Sequence, residues 1–383
     1  MGFSFRVEAT DPDCAARLGR IVTARGEFAT PRFMPVATTA AIKGVATDWV
    51  WQAGAPILLA NAYHLHLQPG EEVVASLGGL HRFMDWPGAI ITDSGGYQVF
   101  SLPEREITEE GVRFKVQKGG RPVMLTPERS IAIQQRLGAD VMMAFDECVA
   151  YPTPYPYAKE AMERTLRWAE RCKQAHLQGA AANGGGQALF GIVQGSTYPD
   201  LRRASAEGVA ALDLPGVAVG GLSVGEGLSV MEEVLSYTTP YLPPDKPRYL
   251  MGVGLPEDML AYVEAGLDMS DCVIPTKLAR SGVAFTMVGR LRVSNAQYRR
   301  DKFPLDTNCT CYACTHFTRG YLHHLFHAGE MLGQTLVSMH NLQFYFKLME
   351  DIREAIGAGR FMRFKADFLA AYLRQDKKSK NVR

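Results

Sequence analysis

Ala89-Ile90-Ile91-Thr92-Asp93-Ser94-Gly95-Gly96 opens as an apolar run and ends abruptly on an aspartate, a serine and two glycines. Such a run is too short for a buried helix and fits a strand covered on both faces. The same pattern recurs on either side of it. Upstream are Phe33-Met34-Pro35-Val36-Ala37-Thr38 and Ile57-Leu58-Leu59-Ala60-Asn61. Downstream are Val141-Met142-Met143-Ala144-Phe145-Asp146, Leu189-Phe190-Gly191-Ile192-Val193-Gln194, Gly216-Val217-Ala218-Val219-Gly220-Gly221, Tyr249-Leu250-Met251-Gly252-Val253 and Asp271-Cys272-Val273-Ile274. Helix-like stretches fall between several of them, at residues 126–137, 158–176, 200–212, 230–237 and 257–266. Strands alternating with amphipathic helices predict a parallel sheet wrapped in helices. Eight strands are what a closed α/β barrel, the (β/α)8 TIM barrel, requires. An open doubly wound sheet is the rival, but Gly184-Gly185-Gly186 and Gly220-Gly221 make no dinucleotide fingerprint after a first strand. Asn61, Asp93, Asp146, Gln194, Gly221 and Asp271 all fall at the C-terminal ends of these strands. A barrel gathers those ends on one face, where barrel enzymes keep their chemistry.

Composition agrees with a globular enzyme: 47% hydrophobic and 21% charged residues. No apolar run approaches the length that spans a bilayer, so no membrane partner is expected. Residues 1–10 lack the apolar core of a signal peptide, which points to a cytoplasmic protein. The net charge of +1 means that any polyanion must be met by a local patch.

Barrel closure would bring Asp93, Asp146 and Asp271 together from distant parts of the chain. Two facing carboxylates suit glycosidic chemistry: one attacks the anomeric carbon and the other manages the leaving group's proton. A third could accept from the N–H edge of a base. Gly95-Gly96, Gly220-Gly221 and Gly252-Val253-Gly254 at strand ends would let a flat ligand approach the backbone.

After Ile274 the pattern changes. Lys277, Arg280, Arg290, Arg292, Arg299, Arg300 and Lys302 form a basic stretch, and a phosphate-backbone contact is expected there. Cys309, Cys311 and Cys314 follow, in a chain without an export signal, and read as metal ligands rather than disulfides. Three thiolates cover one side of a tetrahedral zinc ion. A fourth ligand is needed from His316, His323, His324, His327 or His340, and spacing does not choose among them, although His316 would be cramped. Helical stretches are predicted over 321–333 and 341–356, and residues 377–383 are expected to fray. The domain reading is a catalytic barrel over 1–276, a basic and zinc-binding subdomain over 277–340, and helices over 341–383 that pack back on the barrel.

Taken together, Thr92-Asp93-Ser94-Gly95-Gly96-Tyr97-Gln98, Met143-Ala144-Phe145-Asp146-Glu147-Cys148, Gly191-x-x-Gln194-Gly195, Gly220-Gly221-Leu222-Ser223-Val224-Gly225-Glu226, Tyr249-Leu250-Met251-Gly252-Val253-Gly254, Asp271-Cys272-Val273-Ile274-Pro275-Thr276 and the cysteine cluster are decisive. The sequence resembles the bacterial type of the tRNA-guanine transglycosylases (the queuine tRNA-ribosyltransferase family) over nearly its whole length. The resemblance implies exchange of the wobble guanine of certain tRNAs for 7-aminomethyl-7-deazaguanine, a queuosine precursor. It implies Asp271 as the nucleophile on ribose C1′ and Asp93 as general acid/base. Ser94, Asp146, Gln194 and the Gly221 backbone would meet the base, Tyr97 and Met251 would sandwich it, and the Leu222 carbonyl would lie near the aminomethyl group. Gly252, Val253, Gly254, Thr276, Lys277 and Arg280 would meet the RNA. The family also selects His340 as the fourth ligand of one structural zinc, and its members are commonly homodimers.

Two departures bear on the RNA footprint: Lys277 stands where many relatives have arginine, and Leu255 where some have lysine. Archaeal members carry long C-terminal RNA-binding extensions, whereas this sequence stops at Arg383. Val224 and Cys148 point to the bacterial precursor rather than to queuine. The alternatives are a non-catalytic tRNA-binding partner subunit of the same fold and a barrel glycoside hydrolase. The full set of aspartates argues against the first, and Tyr97 with Gln194 against the second.

Overall fold

The computed structural model describes residues 2–102, 104–115, 122–183 and 186–380. Residues 184 and 185 of the triple-glycine run lie outside them. Eight parallel strands form the central sheet: β1 (Arg32–Pro35), β2 (Ile57–Ala60), β3 (Ala89–Thr92), β4 (Val141–Met143), β5 (Ala188–Val193), β6 (Gly216–Val219), β7 (Arg248–Leu250) and β8 (Met269–Cys272). Their order around the sheet is β1-β8-β7-β6-β5-β4-β3-β2, and a parallel bridge between Val36 and Leu59 joins the two ends. The Ala37 N–H donates to the Leu59 carbonyl at 2.6 Å. Both edges are therefore paired, which makes the fold a (β/α)8-type barrel and rules out the open sheet.

The strand residues divide by parity, as a pleated strand requires. Met34, Ile57, Leu59, Ala89, Ile91, Val141, Met143, Phe190, Ile192, Ala218, Tyr249 and Met269 pack into one interior cluster. Their neighbours Phe33, Leu58, Ile90, Met142, Leu189, Val217 and Leu250 belong to the outer core under the helices. Each large side chain so buried contributes about 1.5–3 kcal/mol. Continuing the inward parity by one step from Leu59, Ile91, Ile192 and Met269 arrives at Asn61, Asp93, Gln194 and Asp271. The barrel's own periodicity aims these polar groups into its mouth.

Helices α1 (Pro127–Leu137), α2 (Tyr155–Asn183), α3 (Pro199–Ala211), α4 (Leu228–Thr238) and α5 (Pro256–Glu264) follow β3 to β7. Proline opens α1, α3 and α5, where a missing N–H costs nothing. A three-stranded antiparallel sheet (Ser4–Thr10, Arg17–Thr23 and Gly26–Thr30) adds Ile21 and Phe28 to the interior cluster. Arg17 clamps it to the barrel through two bonds to Asp268, at 3.0 and 2.6 Å. The sequence reading did not anticipate this sheet, nor a second one of Arg105–Ile107, Val112–Lys115 and Pro122–Leu125.

Beyond β8 three expectations need correction. The last strand stops at Cys272, and α6 (Ile274–Arg280) starts immediately, with Pro275 in its first turn. Lys277 and Arg280, at the start of the basic stretch, thus sit on a helix. Helix α7 is Tyr312–His316 and α8 is Arg319–Ala328. The stretch 321–333 is not one helix, because Gly329 takes φ 74° and caps α8. Helix α9 then runs unbroken over Met331–Gly357, so His340 lies in mid-helix. Helix α10 spans Phe361–Lys380, and residues 381–383, at the end of the tail expected to fray, lie outside the described residues. No helix among the described residues is long and apolar enough to cross a membrane.

Candidate functional site

Two buried carboxylates, Asp93 and Asp146, and a half-buried one, Asp271, meet at the C-terminal mouth of the barrel. Asp93 follows β3, and both its oxygens are engaged. Oδ2 accepts from the Asn61 amide at 2.5 Å and the Gln98 amide at 3.0 Å, and Oδ1 accepts from the Ala62 N–H at 2.8 Å. Burial pushes Asp93 up to about 6, opposed by the Asn61 and Ala62 bonds and reinforced by the charge of Asp271. Asp146 follows β4; its Oδ2 accepts from the Gln194 amide at 2.7 Å and its Oδ1 from the Ser94 hydroxyl at 3.3 Å. Burial also pushes Asp146 up to about 6.

Asp271 lies on β8. Its Oδ1 accepts from the Tyr249 hydroxyl at 2.5 Å and from the Gly252 N–H at 2.8 Å. No bond among the described residues falls on Oδ2. Burial raises Asp271, while Tyr249 and Gly252 act in the opposite direction. One oxygen is thus anchored and the other is not.

Glycines shape the space between these groups. A Cβ on Gly96 would stand 2.9 Å from Asp146 Oδ1, and one on Gly221 would stand 2.4 Å from Gln194 Oε1. Gly221 also takes φ +67°, so no other residue fits there without strain. Gln194 Oε1 is buried and has no partner among the described residues. A buried acceptor in that condition marks a place for a ligand donor.

The other sequence-expected residues are placed as follows. Tyr97 presents a ring that is 60% exposed at the rim. Met251 is half-buried on top of the interior cluster. The Leu222 and Val253 side chains are buried in the outer core, leaving only their backbone for a ligand. Gly254 is held from behind, its carbonyl accepting from the Tyr345 hydroxyl. Thr276 is buried, with its hydroxyl on the Val273 carbonyl at 3.3 Å. Lys277 is exposed, and Arg280 donates to the Thr276 carbonyl at 2.9 Å. Tyr249 and Gln98 were missing from the sequence-derived site, and Asn61 was placed on the active face without a role. Tyr249 could have been found from inward parity, since it belongs to the interior cluster.

A second centre lies in the C-terminal part. The ligand atoms of Cys309, Cys311, Cys314 and His340 all lie within 4.8 Å of one another. His340 Nδ1 stands 3.3 Å from Cys314 Sγ and 3.6 Å from Cys311 Sγ. Its Nε2 meets the Phe285 carbonyl at 2.7 Å. That contact puts the proton on Nε2 and leaves the Nδ1 lone pair facing the sulfurs, the arrangement that a metal-bound imidazole takes. The contacts among the three thiols lower Cys311 and raise Cys314, so one sulfur takes the anionic form at its neighbour's expense. Donor type, spacing and support all fit a tetrahedral ion with bonds of about 2.0–2.3 Å.

A closed barrel with a polar mouth and an appended Cys3His cluster defines a class: an α/β-barrel protein with a C-terminal module that could hold a metal ion. The family described as Queuine tRNA-ribosyltransferase matches residues 12–374. The chain belongs to that family. It is 54% identical over 360 residues to the queuine tRNA-ribosyltransferase of Symbiobacterium thermophilum, covering 94% of this chain and 89% of that one. Likewise it is 51% identical to the protein of that name from Caldanaerobacter subterraneus, covering 96% and 97%. To the one from Pelotomaculum thermopropionicum it is 50% identical, covering 97% and 99%.

Proposed function

We propose that this protein is a tRNA-guanine transglycosylase of queuosine biosynthesis, exchanging wobble guanine for 7-aminomethyl-7-deazaguanine. The observation that carries the reading is the asymmetric anchoring of Asp271, with one oxygen held and one open at a mouth that also holds two carboxylates near pKa 6.

Asp271 Oδ2 attacks ribose C1′ of the bound tRNA. The C1′–N9 bond breaks, its electron pair goes to guanine N9, and Asp93 supplies the proton. The RNA is then an ester of Asp271. Asp93, now ionised, takes the N9 proton of the incoming deazaguanine, whose nitrogen attacks C1′ and releases Asp271. Two displacements at one carbon retain its configuration. A carboxyl poised near pKa 6 can serve in both directions at neutral pH. Asp146, Gln194, Ser94 and the Gly221 backbone read the purine edge, with Tyr97 and Met251 on its two faces and the Leu222 carbonyl toward the aminomethyl group.

Lys277 and Arg280 on α6, with the Gly252–Gly254 and Thr276 backbone, take the RNA strand beside the attacked ribose. Cys309, Cys311, Cys314 and His340 would hold one zinc ion, which supplies folding free energy to the module over 277–340. The enzyme acts in the cytoplasm, as a homodimer.

The test is incorporation of labelled guanine into tRNA by the wild-type protein, paired with Asp271→Asn. The variant should fold, show no exchange and trap no covalent RNA adduct, because an amide is no nucleophile at C1′. A normal adduct with Asp271→Asn would refute the assignment.

A further inference from the structure

Helix α3 sends two buried polar side chains, one turn apart, against the ends of β5 and β6. Arg202 is fully buried, yet none of its hydrogen bonds among the described residues goes to a carboxylate. Its guanidinium donates to four backbone carbonyls instead. Nε reaches Ser196 at 2.6 Å, Nη1 reaches Gly220 at 2.8 Å and Val193 at 3.2 Å, and Nη2 reaches Gly221 at 3.4 Å. Three residues on, the Ser205 hydroxyl accepts the Gln194 N–H at 2.9 Å. The β5–α3 turn is wound tightly around this group. A Cβ on Gly195 would stand 2.8 Å from Arg202 N, and Ser196 takes φ 51°.

Burying an arginine is costly unless its donors are satisfied, and the planar fork satisfies them only in a fixed arrangement of acceptors. Peptide planarity converts that constraint into a recognition geometry. In a trans peptide the C=O and the following N–H point in opposite directions. With the Gly220 carbonyl drawn down onto Arg202, the Gly221 N–H must point away from the guanidinium. The Gly221 carbonyl acts in the same way on the Leu222 N–H. The same helix fixes the backbone of Gln194, whose amide bonds Asp146 and whose Oε1 awaits a donor. Burial pushes Arg202 down only to about 10, so the fork keeps its charge at neutral pH.

We propose that Arg202 and Ser205 are positioning residues for purine recognition. They set Gln194 and the Gly221 peptide in register with Asp146, and so control affinity for the base and not for the RNA strand. This rests on the base-exchange reading.

The experiment is labelled-guanine exchange with base and tRNA varied separately, on wild type, Arg202→Lys and Ser205→Ala. Lysine keeps the charge and loses the fork. KM for guanine should rise about tenfold or more in Arg202→Lys and about threefold in Ser205→Ala, with KM for tRNA within about twofold and kcat restored at saturating base. A purely structural role would lower the active fraction, and so kcat, with both KM values unmoved. That result, or an equal rise in both KM values, or a full rescue by lysine, overturns the proposal. Should Arg202→Lys give no folded protein by circular dichroism, Ser205→Ala decides: an unchanged base KM there refutes it. Absence of exchange by wild type would refute the base-exchange reading itself, before either variant is consulted.

Discussion

Replacing Asn61 by alanine should move the pH dependence of the first half-reaction without removing any group that touches the reacting carbon. The Asn61 amide donates to Asp93 Oδ2 at 2.5 Å and is the foremost influence holding Asp93 down against burial. A hydrogen bond to a charged group is worth about 1.5–3 kcal/mol, or roughly 1–2 pH units. Gln98 and the Ala62 N–H remain on the carboxylate, so the lower end applies. Asp93 should rise from about 6 in the wild type to about 7 in the variant. In the proposed mechanism Asp93 must be protonated to give guanine its proton, so it should govern the alkaline limb of kcat/KM for tRNA. That limb should move up by about one pH unit. At pH 7.5 the protonated fraction would climb from about 3% to about 24%. The assay is initial-rate guanine exchange from pH 5 to 9 at subsaturating tRNA. An alkaline limb that stays in place, at whatever rate, would show that Asp93 is not the proton donor.

Asp146→Asn should abolish base binding yet stabilise the fold. Because burial raises Asp146 from 3.8 to about 6, its ionisation costs stability as pH rises through that window, by up to about 3 kcal/mol at pH 7. The variant's melting temperature should therefore exceed that of the wild type by a few degrees at pH 7.5 and by little at pH 4, as calorimetry would show; an equal gain at both pH values would refute the linkage. One zinc ion per chain is expected by elemental analysis, and His340→Ala should lose it and lower the melting temperature. Full metal content in that variant would show that the ligand set is wrong. Lys277→Ala with Arg280→Ala should weaken tRNA binding and flatten its salt dependence by roughly 0.7–1 per lost contact, with base affinity unchanged. An unaltered slope would place the RNA path elsewhere.

The barrel was legible because each of its strands carries a short apolar run, and the inward parity of those runs continues into the functional residues. Met269 to Asp271 and Ile91 to Asp93 are single steps of two along a strand. The N-terminal sheet escaped for the opposite reason. In Arg17–Thr23 the buried positions alternate perfectly, but Arg17, Gly19 and Thr23 are among them, so the alternation is not one of hydrophobicity. Arg202 left no sequence signal at all. It sits between Leu201 and Arg203, near Asp200, on a helix whose charges read as solvated. Only the fold reveals that its acceptors are the carbonyls of two strand ends. His340 was likewise beyond spacing arguments, because it lies 26 residues after Cys314 and the intervening break at Gly329 decides which face of α9 meets the cysteines.

The position of His340 on α9 also explains why a metal module should matter to a barrel that it does not line. Asn341, the next residue, donates to the Pro275 and Val283 carbonyls, both at 2.9 Å, and accepts from the Phe285 N–H at 3.0 Å. Pro275 is four residues beyond Asp271. Farther along the helix, the Tyr345 hydroxyl holds the Gly254 carbonyl, and Gly254 lies two residues beyond the Gly252 N–H that anchors Asp271 Oδ1. One helix therefore grips segments next to Asp271 in both β7–α5 and β8–α6, from turns close to the one that presents His340 to the three sulfurs. An ion bound there would fix the rotation of α9 about its axis, since Phe285 and the sulfurs hold the two ring nitrogens from opposite sides. Losing it would free that rotation and, through Asn341 and Tyr345, loosen the backbone that keeps one oxygen of Asp271 occupied and the other open.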